Sequence, residues 1–315
     1  MFSDIEEIDL MYIKILAESS LVKEWVIVEG AYTFRGHSRP LILKNILEND
    51  IRFKPYLTRI HVIENKVNIV SEFKFSKKFI VRKSIELLAR KFLKLHYEPQ
   101  KRTLYEMKYF YAEKKLRDTA LFKIFELSKE EIEWVFVSDV DEILNVEHAN
   151  IYDAVIELLN SEDLFILLYR KKFVFDFDNL DGQQRFTPLV NINLIKQMRI
   201  PSLSEFRHRF DGVIQTDLPY VIEYSYCFSA EAIIRKLNSF PHVSPPADFI
   251  QLAMKVNSTF LYPDSNRREV RWLNKIDISK YQVPKYVLQN LKVIKTNNVD
   301  ANYKQNRKDE FSEIF

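Results

Sequence analysis

Glycine is scarce in this chain, with four in 315 residues. No GxGxxG and no GxxxxGK[ST] stretch exists, which excludes the glycine-rich phosphate loops. A phosphate would then have to be held by a metal ion, by Arg or Lys, or by a helix N-terminus. Cysteine occurs once, at Cys227, so neither an intramolecular disulfide nor a cysteine zinc cluster can form. That usage fits a reducing compartment. No apolar run approaches the roughly 18 residues of a membrane span. The start, Met1-Phe2-Ser3-Asp4-Ile5-Glu6-Glu7, is acidic and lacks the basic and apolar regions of a signal peptide. Together these absences lead us to expect a cytoplasmic chain. Strong charge of either sign is also missing: the net charge is +3, which implies no general affinity for nucleic acid.

What is abundant is apolar and aromatic. Hydrophobic residues make up 47% of the chain, with 24 Phe and 16 Tyr, so a large packed core is expected rather than disorder. Helical spacing runs from Ser3 to Glu18. Trp25–Val28 and Arg59–Ile63 read as short buried strands, the first ending at Glu29-Gly30. Helices are expected over 76–96 and 103–127, broken at Pro99, and again at 151–160 and 229–237. Strands are expected at 134–138 and 164–169, and turn-rich, irregular β structure over 170–225. This alternation predicts an α/β fold with an open, mainly parallel sheet flanked by helices, as one domain over 1–294. The Asn/Lys-rich stretch 295–315 reads as a polar C-terminal tail.

The most informative stretch is Trp134-Val-Phe-Val-Ser-Asp-Val-Asp-Glu-Ile-Leu144. An apolar strand stops at Ser138, and Asp139, Asp141 and Glu142 follow within four residues. In an extended chain residues two apart share a face, so Asp139 and Asp141 are expected to project together. Two such carboxylates repel, and a divalent cation relieves the conflict. All-oxygen ligands favour a hard ion, Mg²⁺ or Mn²⁺, of the kind that serves a phosphate. Glu142 either joins the site or orients its neighbours. The bland alternative is an acidic turn after a strand. In open α/β sheets ligands bind at the carboxyl ends of strands. Glu29 and Asp139 both sit at such ends, so one crevice could hold both.

Three separated blocks then resemble one family. Trp25-Val-Ile-Val-Glu-Gly-Ala-Tyr-Thr-Phe-Arg-Gly-His-Ser-Arg-Pro-Leu41 is similar to the N-terminal block of family 17 glycosyltransferases, the β-1,4-mannosyl-glycoprotein β-1,4-N-acetylglucosaminyltransferase-like enzymes. Val137-Ser-Asp-Val-Asp-Glu-Ile143 resembles that family's acidic signature. Tyr224-Ser-Tyr-Cys-Phe-Ser229, followed by Ile234-Arg-Lys-Leu-Asn-Ser-Phe-Pro-His242, is similar to its C-terminal block. The blocks keep the family's order over residues from about 5 to 265. Leu144 stands where the family has Pro, and Val243-Ser-Pro-Pro246 where an acidic residue follows the His.

The resemblance implies a GT-A fold, a Rossmann-like α/β domain that uses a nucleotide-sugar donor and Mn²⁺ or Mg²⁺. It implies Asp139, Asp141 and His242 as metal ligands, with Asp139 also able to contact the donor ribose. Glu29, Thr33, Phe34, Arg35 and Arg117 would contact the donor. Arg117, in Glu113-Lys-Lys-Leu-Arg-Asp118, would pair with the diphosphate or with Asp139, or else form an i,i+4 pair with Glu113 on a solvated helix. The family inverts anomeric configuration, which requires a base; Glu205, Asp211, Asp217 and Glu223 are candidates, Asp217 and Glu223 foremost. The implied donor is a UDP-sugar, UDP-N-acetylglucosamine by family precedent, with a GDP-sugar as the alternative. The acceptor would be a glycan.

Lys77–Lys94 carries Lys77, Lys78, Arg82, Lys83, Arg90, Lys91 and Lys94 threaded with apolar residues. Such a helix can lie on an anionic membrane, suiting a lipid-linked acceptor, or can be an ordinary surface helix with its apolar face in the core. Two rival readings stand beside the transferase. One is a glycosyltransferase-like fold that only binds a sugar nucleotide or glycan. The other is an aspartate-dependent phosphohydrolase, which usually carries its DxD near the chain start, whereas here 138 residues precede it.

Overall fold

A computed structural model describes residues 2, 5–73, 104–128, 133–174, 179–225, 227, 235–236, 260–263, 270–275, 278, 282–287 and 289. The helix expected over 76–96, the basic stretch 77–94, most of 229–237, His242 and the tail from 295 lie outside the described residues.

Helix α1 (Ile8–Glu18) buries Ile8, Leu10, Met11, Ile13 and Ile15 and, on another face, Lys14 and Glu18, so it is covered on several sides. Strand β1 (Trp25–Gly30) pairs in parallel with β2 (Ile60–Asn65), from Trp25 opposite Ile60 to Gly30 opposite Asn65. Helix α2 (Leu43–Asn49) and a 3₁₀ segment (Ile51–Arg59) connect them, long enough for the crossover a parallel pair needs. A short helix α3 (Ile69–Glu72) follows β2. The single helix expected over 103–127 is two: α4 (Leu104–Asp118) and α5 (Leu121–Leu127).

The second sheet contains β3 (Trp134–Phe136), β4 (Glu142–Leu144), β5 (Phe165–Val174), β6 (Asn179–Asn191), β7 (Val213–Gln215), β8 (Val221–Ser225), β9 (Phe260–Pro263) and β10 (Val270–Lys275). Its main path runs β4-β8-β5-β6-β10-β9; β3 pairs with β6, and β7 with β5. Helix α6 (Ala149–Leu159) leads from β4 to β5, and α7 (Ile192–Gln197) and α8 (Leu203–Phe206) lie between β6 and β7.

The fold is therefore α/β, as expected, but the sheet is mixed rather than mainly parallel. Only β5–β7 and β5–β8 run parallel in it, while β3–β6, β4–β8, β5–β6, β6–β10 and β9–β10 are antiparallel. The reason is chain length: β6 begins at Asn179, too soon after Val174 for a crossover, so β5 and β6 must pair antiparallel. The stretch 170–225 is also more regular than its turn residues suggested. Pro188 lies inside β6, opposite Leu167. It is tolerated because β3 ends at Phe136: Val137 N donates to Pro188 O at 3.0 Å, and the return bond that Pro188 cannot make is supplied by Arg207, whose Nη1 donates to Val137 O at 3.2 Å.

Three buried clusters form the core. One packs α1, α2 and Ile143 with Tyr224; a second joins Val28, Phe34 and Leu116 to Val137, Val190 and Phe206; the third packs α6 on Ile166, Leu168, Leu189 and Val221. Among the described residues no helix is long and apolar enough to cross a membrane.

Candidate functional site: the acidic turn after β3

Beyond Val137 the chain does not stay extended. It turns at Val140-Asp141, with Glu142 N donating to Asp139 O at 3.1 Å and Asp139 N to Glu142 Oε2 at 3.2 Å. The shared face expected for Asp139 and Asp141 is replaced by this turn, and the two carboxylates take different partners. Arg117 Nη2 donates to Asp139 Oδ1 at 2.9 Å and Arg207 Nη2 to Oδ2 at 3.0 Å. Lys236 Nζ donates to Asp141 Oδ2 at 3.2 Å and pairs with Glu7 at 3.0 Å.

Behind the turn lies a buried ionic network. Glu142 is 2% exposed and accepts from Arg170 Nη1 and from both terminal nitrogens of Arg207, Nη2 at 2.7 Å. Across the β4–β8 pairing Glu142 faces Glu223, and two like charges held there would repel. Arg170 meets both: its Nε lies 2.9 Å from Glu223 Oε2. Lys172 Nζ sits 2.8 Å from Glu223 Oε1, and Ser225 Oγ donates to the same oxygen. From the other side Lys14 Nζ reaches Glu142 O at 2.6 Å and Ser138 Oγ at 3.0 Å.

These contacts set the acidities. Burial works to raise the Asp139 pKa, but Arg117 and Arg207 overcome it and hold the carboxyl well below the usual range. Burial likewise opposes ionisation of Glu223, and Arg170 and Lys172 prevail to lower its pKa. For Asp141 burial prevails: its pKa is raised, with Lys236 opposing and Glu223 and Asp139 adding to the rise. A carboxyl whose folded pKa is depressed contributes stability above its unfolded value, about 4, and that contribution is lost as pH falls through the folded pKa. Asp139 and Glu223 are such groups; Asp141, raised, acts in the opposite sense above the ordinary range. The wild type should therefore lose stability more steeply below about pH 4 than Glu223→Gln does. Thermal melts from pH 7 to 3 check this, and parallel curves would remove the assignment.

A cavity of about 450 Å³ opens between β1 and β3. Trp25–Val28 line one side and Trp134–Val137 the other, with α1 and α5 closing it; no backbone pairing joins β1 to β3 among the described residues. Arg117, Ser138 and Asp139 bring polar groups to this mostly apolar wall.

The candidate residues distribute unevenly around it. Asp139 and Arg117 meet at the cavity, and Arg117 also makes the i,i+4 contact with Glu113 at 3.3 Å. Glu29 is 1% exposed and does not line the cavity; it caps α2, accepting from Ile42 N at 3.0 Å and Leu43 N at 3.1 Å. Burial raises its pKa against those two bonds. Thr33 shapes a tight loop, its N donating to His37 O and its Oγ1 accepting from His37 N, with Gly36 at φ +87° where a side chain would be strained. Phe34 is buried in the core beside Val28 and Leu116, and Arg35 lies in the same loop, away from the cavity. Asp217 is exposed and accepts from Tyr220 Oη at 2.9 Å; neither it nor Glu223 lines the cavity. His242 lies outside the described residues, and among the described residues no three His, Cys, Asp or Glu side chains are grouped to hold a metal ion.

Sequence reasoning missed Lys14, Arg170, Lys172, Arg207 and Lys236. The available signal was positional: Arg170 and Lys172 stand two apart, flanking Lys171, in a strand whose other residues are apolar or aromatic, so two charges share one face and need partners. No protein-family model, curated protein or solved structure matches the chain.

Proposed function

We propose that the chain is a metal-dependent, inverting glycosyltransferase that moves N-acetylglucosamine or a related hexose from a nucleotide-sugar, a UDP-sugar in preference to a GDP-sugar, to a glycan acceptor. The observation that carries this reading is the placement of Asp139 and Arg117 on the wall of the cavity beside β1, with Arg207 holding the second carboxylate oxygen of Asp139. A volume of about 450 Å³ lies within the usual range for small-molecule sites. The parallel β1–β2 pair and the acidic turn after β3 are the parts of the fold that suit a Rossmann-like GT-A arrangement. The three blocks resembling family 17 enzymes add the reaction class.

Carboxylate oxygens are the donors a hard cation takes, and Asp139 and Asp141 would have to leave their arginine and lysine partners to share one. Asp141 is crowded by Glu223, Asp139 and Glu7 against the ammonium of Lys236, and burial holds its carboxyl towards the neutral form, a conflict that a divalent ion would relieve. Asp139 and Asp141 would hold Mn²⁺ or Mg²⁺, which keeps sites for water and phosphate oxygens. When bound, the ion supplies Lewis-acid stabilisation of the leaving diphosphate. The chain's own residues hold the turn: Arg170 and Arg207 fix Glu142, and Lys14 fixes its backbone. Asp217, exposed beside Tyr220, and Glu223, held by Arg170 and Lys172, are the candidates for the base that deprotonates the acceptor hydroxyl, and neither lines the cavity.

Calorimetric titration of UDP- and GDP-sugars, with Mn²⁺ or with EDTA, tests the reading. One donor should bind in the micromolar range only with metal, and Asp141→Ala should weaken it at least about tenfold. Absence of binding by every donor with metal present would reject the transferase.

A further inference from the structure

The Asp139 carboxylate is held as a phosphate would be held. Each of its oxygens receives one guanidinium hydrogen bond, from Arg117 at 2.9 Å and from Arg207 at 3.0 Å. Both arginines are fixed from behind. Arg117 is 6% exposed and is braced by Glu113; Arg207 is clamped by Glu142 and by Val137 O. Such pre-set forks lose little entropy on binding an oxyanion. The covering carboxylate, by contrast, is the more accessible partner: the half-buried Asp139 side chain is 29% accessible, against 7% for Arg117 and 13% for Arg207, and lies on the cavity wall. Charge balance points the same way. Among the described residues Arg117 pairs with Glu113 and Asp139, Arg207 with Asp139 and Glu142, and Arg170 with Glu142 and Glu223, so Asp139 shares both of its arginines with carboxylates that would stay in place. Withdrawing Asp139 would take a carboxylate from both guanidinium groups and shift the balance there towards positive charge.

We propose that Arg117 and Arg207 form an anion-binding pair for a diphosphate, and that the Asp139 carboxylate occupies this site until the ligand arrives. The pair stands on its own geometry, while the origin of the diphosphate in a nucleotide-sugar rests on the transferase reading. A cation that draws Asp139 away would expose both forks to the diphosphate at the same time, so metal and phosphate binding would reinforce one another.

Pyrophosphate in EDTA is the probe, titrated calorimetrically into the wild type, Asp139→Ala and Asp139→Asn. Both variants remove the covering charge, and the second keeps its shape should the first fold poorly. Each should bind pyrophosphate roughly ten- to a hundredfold more tightly than the wild type, the range for charge-assisted hydrogen bonds. Adding Arg207→Lys to either variant should reverse most of the gain, because an ammonium cannot present the fork. No gain in either variant overturns the pair. UDP and UMP form a second arm: UDP should share the gain and UMP, lacking the second phosphate, should not; an equal gain for UMP overturns the diphosphate assignment. Donor binding by the wild type with metal, without a pyrophosphate gain, would end the pair and leave the transferase standing. The converse would end the transferase and leave the anion site.

Discussion

Glu142→Ala is expected to destabilise the protein by about 3–5 kcal/mol, the range for breaking a buried ion pair by removing one partner. Glu142 is 2% exposed, and its loss strands Arg170 and strips Arg207 of its closest carboxylate. Among the described residues Arg170 would keep the Thr187 hydroxyl and Glu223, which it already shares with Lys172. Urea denaturation of Glu142→Ala, Arg170→Met and the double variant measures this directly. The double variant should cost less than the sum of the singles, because the second removal takes away a charge that the first had left unpaired. Strict additivity would show that Glu142 and Arg170 do not act as one unit.

Glu18→Ala should have an effect of similar size, about 3–5 kcal/mol. Its carboxylate is 1% exposed and accepts three bonds, from Lys14 Nζ at 2.6 Å, Trp25 Nε1 at 3.0 Å and Leu144 N at 2.9 Å. Lys14 and Glu18 are four residues apart on α1, so they share a helix face, and that face meets β4. Truncation leaves a buried ammonium, an indole N–H and a strand N–H without their common acceptor. Glu18→Gln retains an acceptor oxygen but loses the charge, and should cost about half as much. Equal losses in the two variants would assign the effect to charge alone. Since Lys14 also holds Ser138 and the carbonyl of Glu142, the loss should reach the acidic turn as well.

The elements legible in the sequence were those set by local pattern. The apolar runs of β1 and β3 and the helical spacing of α1 and α6 are short-range signals, and each element formed near its expected place. Asp139 could be singled out for the same reason, by its strand end, whereas Arg117 was singled out only through the family resemblance of Glu113–Asp118. The cations of the buried network were not legible. Arg170 meets Glu142 across 28 residues and Arg207 meets it across 65, and no local period encodes either contact. Pro188 misled in a particular way: it reads as a turn, yet it sits in a strand because a distant guanidinium supplies the bond it cannot donate. The roles of Glu29 and Phe34 show the converse, since strand-end acids and loop aromatics look alike whether they meet a ligand or, as here, cap a helix and fill a core.

That guanidinium rung has a consequence for how the molecule assembles. Closing Val137 O with Arg207 ties the end of β3 to a residue 70 positions later. Contacts of such separation carry a loop-closure penalty and form late relative to hairpins and helices. During synthesis β3 can pair with β6 only after Asn191 has emerged, and its last rung must wait for residue 207. The acidic turn is then among the last parts of the described chain to acquire its native geometry, so a half-made chain carries the whole Asp139–Glu142 sequence without the means to hold it in place.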